Sequence, residues 1–168
     1  MVGNNFSRLH RGDFESVPQV RLLVLDDSRI EEIEEDALGR MDLLEQLSLN
    51  GNQLASIPAS LPSTSLSALH LEANRITALQ AGDFVGLRRL DQLHLAHNVI
   101  VSIATGTFDQ LTRLVELSLF LPFLPSKTFP LPSLSPSVNK AEKFAFSLCV
   151  PLHLVGILRL PTPARCRH

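Results

Sequence analysis

At 168 residues with 45% hydrophobic content, the chain is long enough for one domain with a continuous core. Its net charge of −2 conceals an asymmetry: residues 1–119 carry 9 basic and 16 acidic side chains, net −7, whereas residues 120–168 carry 6 and 1, net +5. An acidic first part, in a chain without Trp or Tyr, excludes the basic aromatic strip that a nucleic-acid surface needs.

The first residues, Met1 to Phe14, hold no apolar run of the secretory-signal kind, so no signal peptide is expected in this chain. From Val20 onward a fixed spacing of apolar residues sets in. Val20, Leu23, Leu25, Ser28, Ile30, Ile33, Leu38 and Met41 define a 24-residue frame, with the serine at position 9. A 22-residue unit follows, with Leu44, Leu47, Leu49, Asn52, Leu54 and Ile57. Two more 24-residue units then run in register: Leu66, Leu69, Leu71, Asn74, Ile76, Leu79, Phe84 and Leu87, and next Leu90, Leu93, Leu95, Asn98, Ile100, Ile103, Phe108 and Leu111. Four complete units therefore span 20–113.

Continued backwards, the frame puts Asn4 at the asparagine site and Phe6, Leu9, Phe14 and Val17 at the next apolar sites. The chain thus opens in mid-repeat. Phe6, Leu9 and the inner face of Leu23 and Leu25 are accordingly expected to meet solvent or another chain. Continued forwards, Leu114, Leu117 and Leu119 fit, but Pro122 stands where the asparagine belongs. Residues 120–168 then hold eight of the eleven prolines. They read as a Pro/Ser-rich tail of loop or disorder rather than repeat, either an improvised cap built on Phe144 to Leu158 or sequence unrelated to the fold. The apolar stretch from Phe144 to Leu158 is too short for the roughly 20 residues a bilayer span needs. Cys149 and Cys166 both lie in the tail and fix no redox compartment.

Self-similarity at this period, with the pattern LxxLxLxxNxL, is the signature of a leucine-rich repeat solenoid. The expected fold is an α/β-type repeat: each xLxL segment is a short strand, the strands form a curved parallel sheet on a concave face, and the second half of each unit returns over the convex side. Domain boundaries follow at 1–119 for the solenoid, truncated at both ends, and 120–168 for the tail. The asparagines at Asn4, Asn52, Asn74 and Asn98 are expected to be buried amides paired with backbone groups of neighbouring units, and Ser28 to supply only part of that. Pro58 and Pro62 in the short unit exclude regular helix and favour an extended return. Phe14, Leu38, Phe84 and Phe108 share one position and should stack as a column beneath the convex surface.

With its xxxFxxL endings at Phe84 to Leu87 and Phe108 to Leu111, the chain resembles the extracellular, typical-class leucine-rich repeat proteins. Through IPASLPSTSLSALHLEANRI it is most similar to the small leucine-rich proteoglycans of extracellular matrix, over roughly residues 4–119. The resemblance implies an extracellular location and protein partners such as collagen, a growth factor or a receptor. Two family features, an N-terminal cysteine cluster and a cysteine-containing C-terminal cap, have no counterpart here. Asn5-Phe6-Ser7 is a glycosylation sequon, which matters in the secretory pathway.

Partner binding by such a scaffold belongs on the concave sheet, between the inward leucines. The candidate contact residues are Val24 and Asp26; Gln46, Ser48 and Asn50; His70 and Glu72; and Gln92, His94 and His97. Adjacent strands lie about 4.8 Å apart, so His70 and His94 are expected to be lateral neighbours, with Glu72 and His97 nearby. Such a set can hold zinc, but exposed histidines need no metal, and no metal or cofactor is assigned. They read instead as a polar surface that gains positive charge below about pH 6.5. No nucleophile elbow, phosphate loop or paired catalytic carboxylates occur, so a non-enzymatic protein-binding scaffold of the matrix type is expected. The alternatives are a fragment of a receptor ectodomain in cell signalling, or a truncated product without independent function.

Overall fold

The computed structural model describes residues 3–59, 61–62 and 64–119. The tail reading, with the Phe144 to Leu158 segment, Pro122, Cys149 and Cys166, lies outside the described residues.

Five short strands form one parallel sheet: β2 (Leu22–Val24), β4 (Gln46–Ser48), β5 (Ala68–His70), β7 (Gln92–Leu95) and β9 (Glu116–Leu119), in that order. Their register is the sequence frame itself, with Leu23, Leu47, Leu69, Leu93 and Leu117 side by side. Two-residue strands make a second pairing on the return path: β1 (Arg8–Leu9) with β3 (Glu32–Ile33), and β6 (Ala78–Leu79) with β8 (Ser102–Ile103). Among the described residues the convex returns contain turns and these short strands, with no helix. The local reason is visible at Asp13, Asp83 and Thr107, which occupy one frame position. The Asp13 and Asp83 carboxylates accept the N–H of His10 and Gln80, and the Thr107 hydroxyl donates to the Ala104 carbonyl, so each closes a tight turn three residues long. In the short unit residues 57–59 and 61–62 take neither helix nor strand, and Pro58 and Pro62 are buried.

Alternate strand residues point inward and fill a continuous core. Leu25, Leu49, Leu71 and Leu95 are fully buried, as are Leu47, Leu69 and Leu93 behind them. Each such side chain contributes about 1.5–3 kcal/mol on burial. Phe84 and Phe108 stack with ring centroids 5.9 Å apart, while Phe14 and Leu38 are buried at the same frame position in the two units before the short one.

The start of the array is better covered than expected. Leu9, Leu23 and Leu25 are buried at 3%, 8% and 0% exposure, and Phe6 is half-buried. The mid-repeat opening still provides its return path, and that path brings Phe6, Leu9 and Phe14 into one core cluster with Leu23 and Leu25. Val17 is the framework residue that remains outside, 42% exposed where its counterparts Met41 and Leu87 are at 1%.

Two columns of backbone chemistry lock the units together. In the first, each asparagine amide joins its own unit to the one before. Asn52 donates to the Leu25 and Leu49 carbonyls, both at 2.9 Å, and accepts from the N–H of Ser28 and Ile30. Asn74 donates to Leu49 and Leu71 and accepts from Leu54. Asn98 donates to Leu71 and Leu95 and accepts from Ile76. Ser28 makes only the local bond to the Asp26 carbonyl, and Asn4 is half-buried.

The second column is the residue before each asparagine. Gly3, Asp27, Gly51, Ala73 and His97 all take the left-handed conformation, with φ from 53° to 70°. This conformation lets their N–H groups reach the next unit: Gly3 bonds to Asp26, Asp27 to Asn50, Gly51 to Glu72 and Ala73 to Ala96, at 2.9 to 3.0 Å. The site costs a non-glycine residue about 1–2 kcal/mol. At Gly51 a Cβ would also fall 2.0 Å from Oδ1 of Asp27.

In equilibrium urea unfolding of the full chain, Asn74→Ala should lower stability by about 2–4 kcal/mol, because buried carbonyls and an N–H lose their partners together. Ser28→Ala should cost about 1 kcal/mol or less; equal losses at the two sites would refute the bridging role. Ala73→Gly should instead raise the midpoint, by about 0.5–1 kcal/mol in stability, since strain is relieved at an exposed position. A lowered midpoint would show that the left-handed column is not strained.

Candidate functional site

The concave surface is built from positions that alternate with the inward leucines. Across the sheet, one row runs Val24, Ser48, His70, His94 and Ser118, each residue being the register partner of the next. A second row runs Leu22, Gln46, Ala68, Gln92 and Glu116. Gln46 and Gln92 are exposed; Val24, His70 and His94 are half-buried; Ser48 is buried.

On the side of β2 and β4 the polar groups are tied to one another. The Asp26 carboxylate accepts from the Ser48 hydroxyl at 2.6 Å and from the Asn50 N–H at 2.9 Å. The Asn50 side chain in turn accepts the Glu72 N–H at 2.8 Å. These three residues therefore hold the mouth of the sheet, in addition to whatever they present to solvent. His97 is exposed at the end of β7, and Asn5 is exposed and accepts a hydrogen bond from Arg29.

At the centre, His70 and His94 face each other with ring centroids 4.6 Å apart, tilted by 37°. Glu72 stands 3.8 Å from Nδ1 of His94, and Glu116 stands 3.6 Å from its Nε2. That Nε2 is buried and has no hydrogen-bond partner. Gln92 donates to the other Glu116 oxygen at 3.3 Å. Glu116 and Ser118 thus belong to the surface although the sequence reading ended its contact residues one unit earlier. The signal was present: Leu114, Leu117 and Leu119 keep the frame, and the same alternation that selects Gln92 and His94 selects Glu116 and Ser118.

Burial pushes the His70 imidazole below the ordinary histidine value, and the neighbouring His94 pushes it the same way. Glu72, Asp26 and Glu116 oppose that shift. His70 accordingly gains its proton at lower pH than a free surface histidine would.

An open depression of about 530 Å³ lies beside the sheet, lined by Arg21, Glu45, Ser65 and Arg89 among others. Part of its chemistry is already paired: Arg21 bridges Glu45 at 3.0 Å, and Ser65 and Ser67 donate to backbone carbonyls. Among the described residues no group of three His, Cys, Asp or Glu side chains is placed to hold a metal ion, and no helix is long and apolar enough to cross a membrane.

The family model described as leucine rich repeat matches residues 2–54 and 64–120. The chain belongs to the leucine-rich repeat family. Among its relatives, human podocan-like protein 1 is 36% identical over 92 residues, which is 54% of this chain and 18% of that protein. Human mimecan is 32% identical over 87 residues, covering 52% of this chain and 29% of that one. The chain therefore spans less than a third of these curated relatives, and its resemblance is to small leucine-rich proteoglycans. A chain in the solved octameric complex of Latrophilin 3, Unc5D and FLRT2 (LRR) superposes with a TM-score of 0.68 at 24% identity, over 73% of this chain and 38% of that one. This likeness is one of fold: a leucine-rich repeat solenoid with a parallel sheet.

The lowered protonation of His70 sets the sign of a pH effect. Between the folded value and the ordinary 6.5, the unfolded chain binds more protons, so stability rises with pH through that window. Thermal melts of the full chain should show a midpoint that falls on acidification below about pH 6.5, and His70→Gln should flatten that limb. A limb unchanged in the variant would remove His70 as its source.

Proposed function

We propose that this chain is a non-enzymatic protein-binding scaffold whose concave face takes a protein partner, and that it acts in the extracellular matrix. The observation that carries the reading is the five-stranded face itself. It sets Gln46, His70, Gln92, His94 and Glu116 in adjacent rows, at least partly open to solvent, on a backbone fixed by the asparagine column. Similarity to podocan-like protein 1 and mimecan supports the matrix setting. Val24, Asp26, Ser48, Asn50, Glu72 and His97 complete the proposed contact set. By the same resemblance, collagen or a secreted growth factor is the proposed partner class, and Asn5 is the proposed glycan acceptor in the secretory pathway.

A second reading is favoured by the FLRT2 (LRR) likeness: a piece of a receptor ectodomain that meets another cell-surface protein. Both readings use the concave face.

The test is solid-phase binding of the full chain to triple-helical collagen. Gln46→Ala combined with Gln92→Ala should weaken binding about tenfold, the scale of one lost interface anchor, while Glu31→Gln combined with Glu35→Gln on the convex return should not. Loss of binding in the convex variant, with the concave one unchanged, would overturn the concave-face reading. No binding by the parent chain, with capture of a displayed receptor ectodomain instead, would replace the matrix role by the receptor one.

A further inference from the structure

Charge is organised differently on the concave face than elsewhere in the described solenoid. Off the face, several carboxylates stand against guanidinium groups of a neighbouring unit: Arg21 with Glu45 at 3.0 Å, Arg40 with Glu15 at 3.5 Å, and Arg8 with Glu32. On the face, none of the rows holds a Lys or Arg, and the charged residues are Asp26, Glu72 and Glu116. Asp26 is satisfied internally by Ser48 and Asn50. Glu72 and Glu116 form no ion pair with a Lys or Arg among the described residues. They straddle the His94 ring at 3.8 and 3.6 Å, and Glu116 has in addition the single amide donor of Gln92. The His94 Nε2 between them is buried without a hydrogen-bond partner. Beside that nitrogen the two imidazoles pack at 4.6 Å between centroids, tilted by 37°, and both remain partly open to solvent.

We infer that the face binds an extended segment of a partner protein through a lysine or arginine side chain, whose cation lies over the His70–His94 pair between Glu72 and Glu116. This deepens the concave-face reading and rests on it. The chemistry is complementary: a cation stacks on an aromatic ring while its donors reach two flanking carboxylates. Arginine suits the geometry better than lysine, because its planar guanidinium covers a ring and donates from both edges.

The same arrangement makes binding sensitive to pH. The groups that face the pair are Glu72 on the β5 side, Glu116 on β9 and Asp26 beyond β2. Protonating either imidazole places a positive charge where the partner's cation must sit and supplies the carboxylates from within. Affinity for a cationic segment therefore falls as pH drops through the histidine range, whereas affinity for an acidic segment would rise.

The experiment is fluorescence anisotropy of labelled nona-arginine with the full chain, at about 0.15 M salt to screen the general acidity of the repeats. Nona-glutamate and a neutral Gly-Ser peptide serve as comparators. Glu72→Gln with Glu116→Gln should weaken nona-arginine binding about tenfold or more, while Glu31→Gln with Glu35→Gln, which removes the same charge from the convex side, should change it less than about twofold. Parent affinity should drop several-fold from about pH 7.5 to pH 5.5, and His70→Gln should lose part of that dependence. Melting curves of each variant confirm that the substitutions at these solvated positions leave the chain folded. Equal effects of the two charge pairs, or nona-arginine affinity that rises on acidification, overturn the proposal. Concave dependence coupled to a preference for nona-glutamate overturns the cation assignment alone and leaves the concave-face reading standing. Indifference to all concave variants, in this assay and with collagen, removes both.

Discussion

Everything in this solenoid depends on what a buried amide does at the inner corner of each unit. A chain that turns sharply into its own core leaves backbone N–H and C=O groups without partners, and each such buried group costs about 1–3 kcal/mol. Asn52, Asn74 and Asn98 remove that cost on both sides of a boundary, because each donates to a carbonyl of its own unit and one of the preceding unit. The leucine layers supply most of the free energy, but leucine packing is tolerant of small shifts in register. The amide is directional and therefore sets the stacking. Ser28 is fully buried, yet its hydroxyl bonds only to the Asp26 carbonyl, which shows what is lost when the side chain is one group too short.

The fold was legible because the sequence repeats the physics. Leu69 and Leu93 occupy equivalent positions in two units and become register partners in the sheet. The left-handed column was not legible, since Gly3, Asp27, Gly51, Ala73 and His97 share no side-chain chemistry. What they share is a backbone requirement imposed by the turn and by the hydrogen bond to the next unit. The cover over β2 was also hidden, because periodicity records which residues are apolar and not which path segment lies over them. Absence of helix on the convex side follows from three-residue turns that only the side-chain bonds of Asp83 and Thr107 reveal.

Of the candidate surface, the rows could be read directly from the alternation of strand residues. His70 beside His94 follows from strand spacing alone. Which of the other polar residues serve the scaffold and which stay open could not be read: Asp26, Ser48 and Asn50 look like contact residues in sequence, yet their oxygen atoms bind neighbouring strands. Glu116 was readable in principle from Leu114, Leu117 and Leu119, and was obscured by Pro122 six residues later, where the sequence pattern departs from asparagine.

Some of the polar contacts between units join identical frame positions. Arg8 meets Glu32, Arg21 meets Glu45, and Gln92 meets Glu116, each 24 residues on. Identical frame positions are therefore face to face, and a unit's neighbour must differ from it there. Were the segment 20–43 duplicated in tandem, Arg21 would confront its own copy instead of Glu45, and like charges would abut at the rim. The leucines would accept any order of units, and the rim does not. The array thus carries an addressing scheme, in which the interchangeable interior makes recombination between repeats structurally easy while the margin restricts which joins survive.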